Sequence, residues 1–305
     1  MNTAATLVKR EFWEHKGAFL WTPVVIAGVL VALSLITLVT GRFASHILVD
    51  GTGMDFAALA HYFDAMTGSE KQAAMQGLLA GIAAPFHIAL FFVVVFYALG
   101  CLYDERKDRS ILFWRSLPVS DGKTVLAKLA TALILAPVLV LAVTLVTQLL
   151  FLAIATVFAW TQGISAWDNV WGPASPWSFW ADLLIAHGVH VLWFAPVVAW
   201  FMLVSAYVKK APLLVAILVP LGLAWAETWF TRDAWLIKRI GERFADGFYN
   251  VSIRHHGNAF EANGGPFQHY DAIGLLSQTS LWVGLMIAAA FIFAAIALRR
   301  RSGEV

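Results

Sequence analysis

The sequence is short of charge and almost empty of cysteine. Asp, Glu, Lys and Arg make up 13% of its 305 residues against 60% hydrophobic residues, where a soluble domain runs near ~25% charged and ~45–50% apolar. That balance excludes an ordinary soluble domain and points to an integral membrane protein. The net charge is only +2 and the basic residues are not gathered on one soluble segment. The electrostatic footprint of a nucleic-acid binder is therefore missing, and no nucleic-acid partner is expected. A single cysteine, Cys101, leaves neither a disulfide framework nor a thiolate metal site.

Catalytic motifs are lacking as well. Asp121-Gly122-Lys123-Thr124 looks like the end of a phosphate-binding loop, but the glycine required five positions before Gly122 is Leu117, and no strand precedes it. There is no His-Glu-x-x-His, no Gly-x-Ser-x-Gly and no cysteine with a matching histidine near it. The chain is thus expected not to be an enzyme by itself, and to hold no cofactor and no resident metal.

What is present is a set of six apolar runs near the ~20 residues that cross the hydrocarbon as a helix: 19–40, 79–102, 126–159, 181–208, 211–230 and 277–298. The expected fold is an all-α integral membrane protein, a single domain over residues 1–305. The first run is longer than the ~7–15-residue core of a signal peptide and ends in no small-x-small site, so it reads as a retained span. The third is too long to lie wholly in the bilayer. Ser120 is a good N-cap and Asp121 suits the positive end of a helix, so its start reads as an extension into water.

Positive charge near span ends is retained on the cytoplasmic side. With the N-terminus inside, Lys9, Arg10, Lys16, Arg106, Lys107, Arg109, Arg115, Lys123, Lys128, Lys209, Lys210, Arg299, Arg300 and Arg301 fall inside, two thirds of the 21 Lys and Arg. Both termini are therefore expected in the cytoplasm, with the chain in a bacterial inner membrane.

Two amphipathic patterns flank the spans. Ala5, Val8 and Phe12 recur at helical spacing with Trp13 beside them and Lys9, Arg10, Glu11, Glu14 and Lys16 around them. That suits an interfacial helix at the headgroups, carried by Val8, Glu11, Phe12 and Trp13; a charged flank that stops the span from sliding is the plainer alternative. Before the last span, Leu236, Ile237, Ile240, Phe244 and Phe248 form one face and Lys238, Arg239, Glu242, Arg243 and Asp246 the other. An outer amphipathic helix follows.

Polar groups within the spans are few: His87, Gln148, Asp182, His187, His190 and Glu227. Ionisable groups there are functional candidates by default. His187 and His190 share a helix face and, with Glu227, are the candidate pathway residues; hydrogen-bonded packing between helices accounts for them equally well. Pro85, Pro137, Pro196 and Pro220 are expected to loosen their helices.

The stretch 103–128 stands apart, dense in both charge and aromatics between two spans. Ile111, Phe113, Trp114 and Leu117 are too apolar for a merely solvated loop, and aromatics with arginine are what interface cores use. The charges of Glu105, Arg106, Asp108, Arg109 and Arg115 would steer a partner, and Pro118 closes the segment. The alternative is that Phe113 and Trp114 fold back into the headgroups.

Leu7-Val-Lys-Arg-Glu-Phe-Trp-Glu-His-Lys16 leading into the first span, the six spans, and Tyr103-Asp-Glu-Arg-Lys-Asp-Arg-Ser-Ile-Leu-Phe-Trp-Arg-Ser-Leu-Pro-Val-Ser120 resemble a permease subunit of the ABC-2 type ABC transporters. The resemblance covers the whole topology, and its specific part is 103–128. Glu105-Arg106, the segment 111–117 and Leu117-Pro-Val-Ser120 match the layout in which this loop supplies a coupling helix docked on a separate ATPase. Asp108-Arg109-Ser110 stands where many relatives carry a Gly-Thr pair. The resemblance implies ATP and Mg bound by that partner, a second permease subunit, identical or related, in the same lipid bilayer, and export as the direction. Two other classes compete: a membrane-embedded metalloenzyme using His87, His187, His190 and Glu227, and a channel or secondary transporter without an ATPase, whose repeated broken spans are not seen.

Overall fold

The computed structural model describes residues 3–40, 56–110, 119–249 and 276–301. Among these, helix is the only regular structure, and six helical stretches are long and apolar enough to cross a membrane. The chain is an all-α multi-pass membrane protein. Its helices are α1 (Thr3–Glu14), α2 (Thr22–Thr40), α3 (Phe56–Ala65), α4 (Gly68–Gly100), α5 (Tyr103–Lys107), α6 (Asp121–Ala130), α7 (Ala136–Thr161), α8 (Pro176–Tyr207), α9 (Pro212–Thr231), α10 (Trp235–Tyr249) and α11 (Thr279–Arg301).

The spans differ in length more than their hydropathy suggests. Gly17–Leu38, Pro212–Thr231 and Thr279–Arg301 have 22, 20 and 23 residues, whereas Gly68–Lys107, Asp121–Thr161 and Trp167–Tyr207 have 40, 41 and 41. At ~1.5 Å per residue the long three reach about 60 Å, twice the ~30 Å of hydrocarbon. The stretch before residue 79, expected as part of a loop, is helical from Gly68 because Thr67 and Glu70 close a capping box. The Thr67 hydroxyl accepts from the Glu70 N–H, and the Glu70 carboxylate accepts from the Thr67 N–H at 2.8 Å. Ser120 caps α6 as expected, accepting from the Lys123 N–H.

Three π-helical turns, Gly17–Trp21, Thr131–Leu135 and Trp167–Trp171, lead into helical segments, and each is followed at the same spacing by a proline: Pro23, Pro137 and Pro173. A proline has no N–H, and its ring collides with the carbonyl four residues back. The wider turn moves that carbonyl aside. The residue before each proline then donates five residues back, Thr22 to Gly17, Ala136 to Thr131 and Gly172 to Trp167. Pro85, Pro196 and Pro220 lie inside helices without such a turn.

α8 is the central element. Ala195, Ala199 and Met202 bury against Ala288, Ile292 and Ala295 of α11, with Phe86 and Leu90 of α4 in the same core. Small residues let these backbones approach closely, which is how helices associate in lipid. α9 leans on this core through Ala216, whose carbonyl accepts from Trp200 of α8 at 3.0 Å. A second cluster, including Met75, Leu79, Leu152, Phe179 and Leu183, holds the extended ends of α4, α7 and α8 together. We call that the distal end. The opposite, basal end is where α1, α5, α6 and the last turn of α11 meet.

Candidate functional site

The basal end is built on charge. Glu11 of α1 points inward and is 2% exposed. One of its carboxylate oxygens accepts from Lys128 Nζ of α6 and the other from the Tyr97 hydroxyl of α4, both at 2.8 Å. Lys128 lies 3.1 Å from Glu105 of α5, whose second oxygen accepts from Arg299 of α11 at 2.5 Å. Arg299 also donates to Asp121 at 3.0 Å, and Arg10 stands 3.6 Å from Glu105. Glu11, Glu105 and Asp121 thus face Arg10, Lys128 and Arg299, charge for charge. A buried ion costs several kcal/mol of hydration unless paired and hydrogen-bonded. Sharing each buried carboxylate between two donors or cations meets that cost.

Local geometry aims Glu105 at the centre. The chain turns from α4 into α5 at Cys101-Leu102, and the Leu102 and Tyr103 N–H groups donate to Ser205 Oγ at 3.1 and 2.9 Å. Arg106 returns the contact, donating to the Ser205 and Val208 carbonyls at 2.6 and 2.8 Å. These carbonyls end α8, where a cation satisfies unpaired acceptors and suits the helix dipole. The α4–α5 corner and the α8 terminus therefore cap one another. After α5, Arg109 has φ 57°, a left-handed conformation that glycine takes most readily.

Of the docking residues expected from sequence, Glu105 and Arg106 turn inward and are engaged within the chain, while Asp108 and Arg109 are exposed. Ile111, Phe113, Trp114, Arg115, Leu117 and Pro118 lie outside the described residues. In α1, Val8 and Phe12 are half-buried and Trp13 is exposed, but Glu11 belongs to the interior network. Of the other members, Asp121 reads from sequence as a helix start and Lys128 and Arg299 as cytoplasmic charges, while Tyr97 carries no reading. Lys128 carried the one available signal, a lone cation in Val125-Leu-Ala-Lys-Leu-Ala130. Glu11, Glu14 and His15 bring one potential ligand atom each within 4.8 Å of one another. Both oxygens of Glu11 already accept from Lys128 and Tyr97, and Glu14 accepts from Arg10 at 2.7 Å, so this group reads as part of the ion network.

The interior of the distal end is held by neutral groups, with Asp64 at its edge accepting from Asn169 at 2.8 Å and standing 3.6 Å from Lys71. Gln148, fully buried, donates to the Leu79 carbonyl and accepts from Trp180 Nε1, both at 2.8 Å, and Trp171 donates to Thr156 at 2.9 Å. Between the two ends, α10 is pinned by Arg243. Its guanidinium stacks 4.4 Å over Trp193 and donates to the Ser280 carbonyl at 2.9 Å, filling the space a side chain at Gly284 would need. Glu227 is not with the histidines: it accepts from the Leu236 N–H at 2.8 Å and fixes the start of α10. His190 stacks on Phe194, ring centroids 4.4 Å apart, and the partner of His187 is His87 of α4, nitrogen to nitrogen 3.4 Å. The sequence grouped His187, His190 and Glu227; in the structure His187 and His190 stay on one stretch of α8, engaged with His87 and Phe194, while Glu227 bonds at the start of α10.

The chemistry of the basal network is that of paired charges. It offers rigid connection: four elements distant in sequence share one set of charges, so none can shift alone. Comparison of the chain with protein-family models, with curated proteins and with solved structures found no match in any of the three.

Proposed function

We propose that this chain is the transmembrane permease subunit of an ATP-driven transporter of the ABC-2 type, working as an exporter in a pair of such subunits in a bacterial inner membrane with both termini in the cytoplasm. A separate ATPase, carrying ATP and Mg, docks on the loop 103–128. The observation that carries the reading is the basal network, in which Glu105 at the root of that loop is tied to α1, α6 and α11. A docking loop rooted in a solvated surface would bend when pushed. One rooted in buried ion pairs hands displacement to α7 through α6 and to α11 directly, which is what coupling two global states to a partner requires. Asp108 and Arg109 are the exposed charges next to the apolar segment 111–117, and they suit the steering role better than the inward Glu105 and Arg106.

Gentle solubilisation of the chain tagged at Val305 should bring down an ATPase subunit, and Trp114→Asp should abolish that while leaving membrane insertion intact. Retained ATPase association in Trp114→Asp, or labelling of a cysteine at position 114 from outside the cell, overturns the reading.

A further inference from the structure

The first span carries no charged side chain from residue 17 to residue 40, and its basal side ends on Lys16. At ~1.5 Å per residue that run covers the ~30 Å of hydrocarbon, so Lys16 stands at the headgroup layer. α1 leads into the span through helical hydrogen bonds: the His15 N–H donates to the Glu11 carbonyl and the Phe19 N–H to the His15 carbonyl, both at 3.1 Å. The helix therefore crosses the boundary between water and lipid within α1 and the turn that follows it.

Glu11 fixes which side of α1 faces the protein, because its carboxylate is tied to Lys128 and Tyr97 at 2.8 Å. At ~100° per residue, Lys9, Trp13 and Lys16 lie about 160°, 200° and 140° around the helix from Glu11. They form one strip on the far side. All three are exposed, Trp13 at 57%, and the Lys16 ammonium sits 5.7 Å over the Trp13 ring. Neither lysine makes an ion pair among the described residues, and the neighbouring acid, Glu14, is taken up by Arg10 at 2.7 Å. Further along the chain, Trp21, Val24 and Val25 are exposed as well, the surface that acyl chains cover.

Two ammonium groups flanking an indole at this depth match one ligand chemistry. Indoles settle at the headgroup level, and a lysine on the acyl side of one curls its ammonium back toward the polar layer, as Lys16 does over Trp13. Cations held there without an acid attract anionic lipid over zwitterionic lipid. We propose that Lys9, Trp13 and Lys16 form a docking strip for anionic phospholipids, with the headgroup phosphate at the two ammonium groups and the indole at the glycerol level. Because Glu11 bonds to Lys128 from the same turns of α1, a lipid held on this strip braces α1 against the ion network. This holds whether or not the chain is a permease, and needs only that it spans a bilayer.

The test uses the full chain in detergent micelles, offered phosphatidylglycerol or phosphatidylcholine of the same acyl chains, with bound lipid counted by native mass spectrometry. Phosphatidylglycerol should bind more tightly. Lys9→Gln/Lys16→Gln should weaken it by about thirtyfold while leaving phosphatidylcholine unchanged, and Trp13→Ala should weaken both lipids alike, since the indole reads depth and not charge. These side chains are exposed, so their replacement leaves the packing intact. Lys209→Gln/Lys210→Gln, at two exposed lysines just past the end of α8, is the control and should keep wild-type binding. Phosphatidylglycerol should also raise the unfolding temperature of the wild type and not that of Lys9→Gln/Lys16→Gln. Equal binding of the two lipids by the wild type, wild-type selectivity in Lys9→Gln/Lys16→Gln, an equal loss in the Lys209→Gln/Lys210→Gln control, or displacement of phosphatidylglycerol by inorganic phosphate overturns the proposal.

Discussion

The two ends of this molecule solve the same problem with different chemistry. At the basal end, Glu11, Glu105, Lys128 and Arg299 cross-link four elements with ion pairs of 2.5 to 3.1 Å. At the distal end, Gln148, Trp180, Trp171 and Thr156 do so with neutral hydrogen bonds of 2.8 to 2.9 Å. The difference shows where each end is rigid. An ion network fails as a unit when one member is lost, because the remaining charges are stranded; neutral bonds fail one at a time. A part that must move as a block is better built the first way.

Single substitutions can break that contrast. Lys128→Met leaves Glu11 and Glu105 short of a cation in a buried site and should destabilise the chain by about 3–5 kcal/mol, with α1 becoming protease-sensitive. Thermal unfolding in detergent with limited proteolysis would register both. Arg243→Met removes a charged donor from the Ser280 carbonyl and the stack on Trp193. A loss of about 2 kcal/mol is expected, read as faster hydrogen exchange in α10 with the basal end unchanged. Gln148→Leu removes the second donor from the Leu79 carbonyl and strands the Trp180 indole, and should cost about 1 kcal/mol by the same unfolding assay, as neutral bonds between membrane helices do. The smallest effect belongs to Lys71→Met. Its pair with Asp64 is long, 3.6 Å, and Asp64 is half exposed, so a change below about 1 kcal/mol should be found. A Gln148→Leu effect as large as that of Lys128→Met would erase the distinction between the ends.

The sequence made the helices legible and left their partnerships hidden. Apolar length located all six spans, and alternation of Leu236, Ile240 and Phe244 with Lys238, Arg239 and Glu242 announced α10. The Ser120 cap was equally plain. What local pattern does not reveal is which charges face solvent and which turn into the protein. Glu105 and Arg106 sit in a charged run that reads as solvated, and Arg299 opens a triplet that reads as a membrane flank. Their burial depends on Glu11 and Ser205, distant residues that no local pattern links to them. The histidines show the same limit: helical spacing joins His187 to His190, but packing joins His187 to His87.

The prolines also set the angular phase of the helices. A π turn spends one more residue than an α turn, so every side chain beyond it is rotated by about 100° from where an uninterrupted helix would carry it. In the long third span, Pro137 and the turn Thr131–Leu135 stand between Lys128 and Gln148. The azimuth at which the charged base meets the amide-bonded tip is therefore written into one imino acid, and a chain regaining the missing N–H there would be free to turn one end against the other.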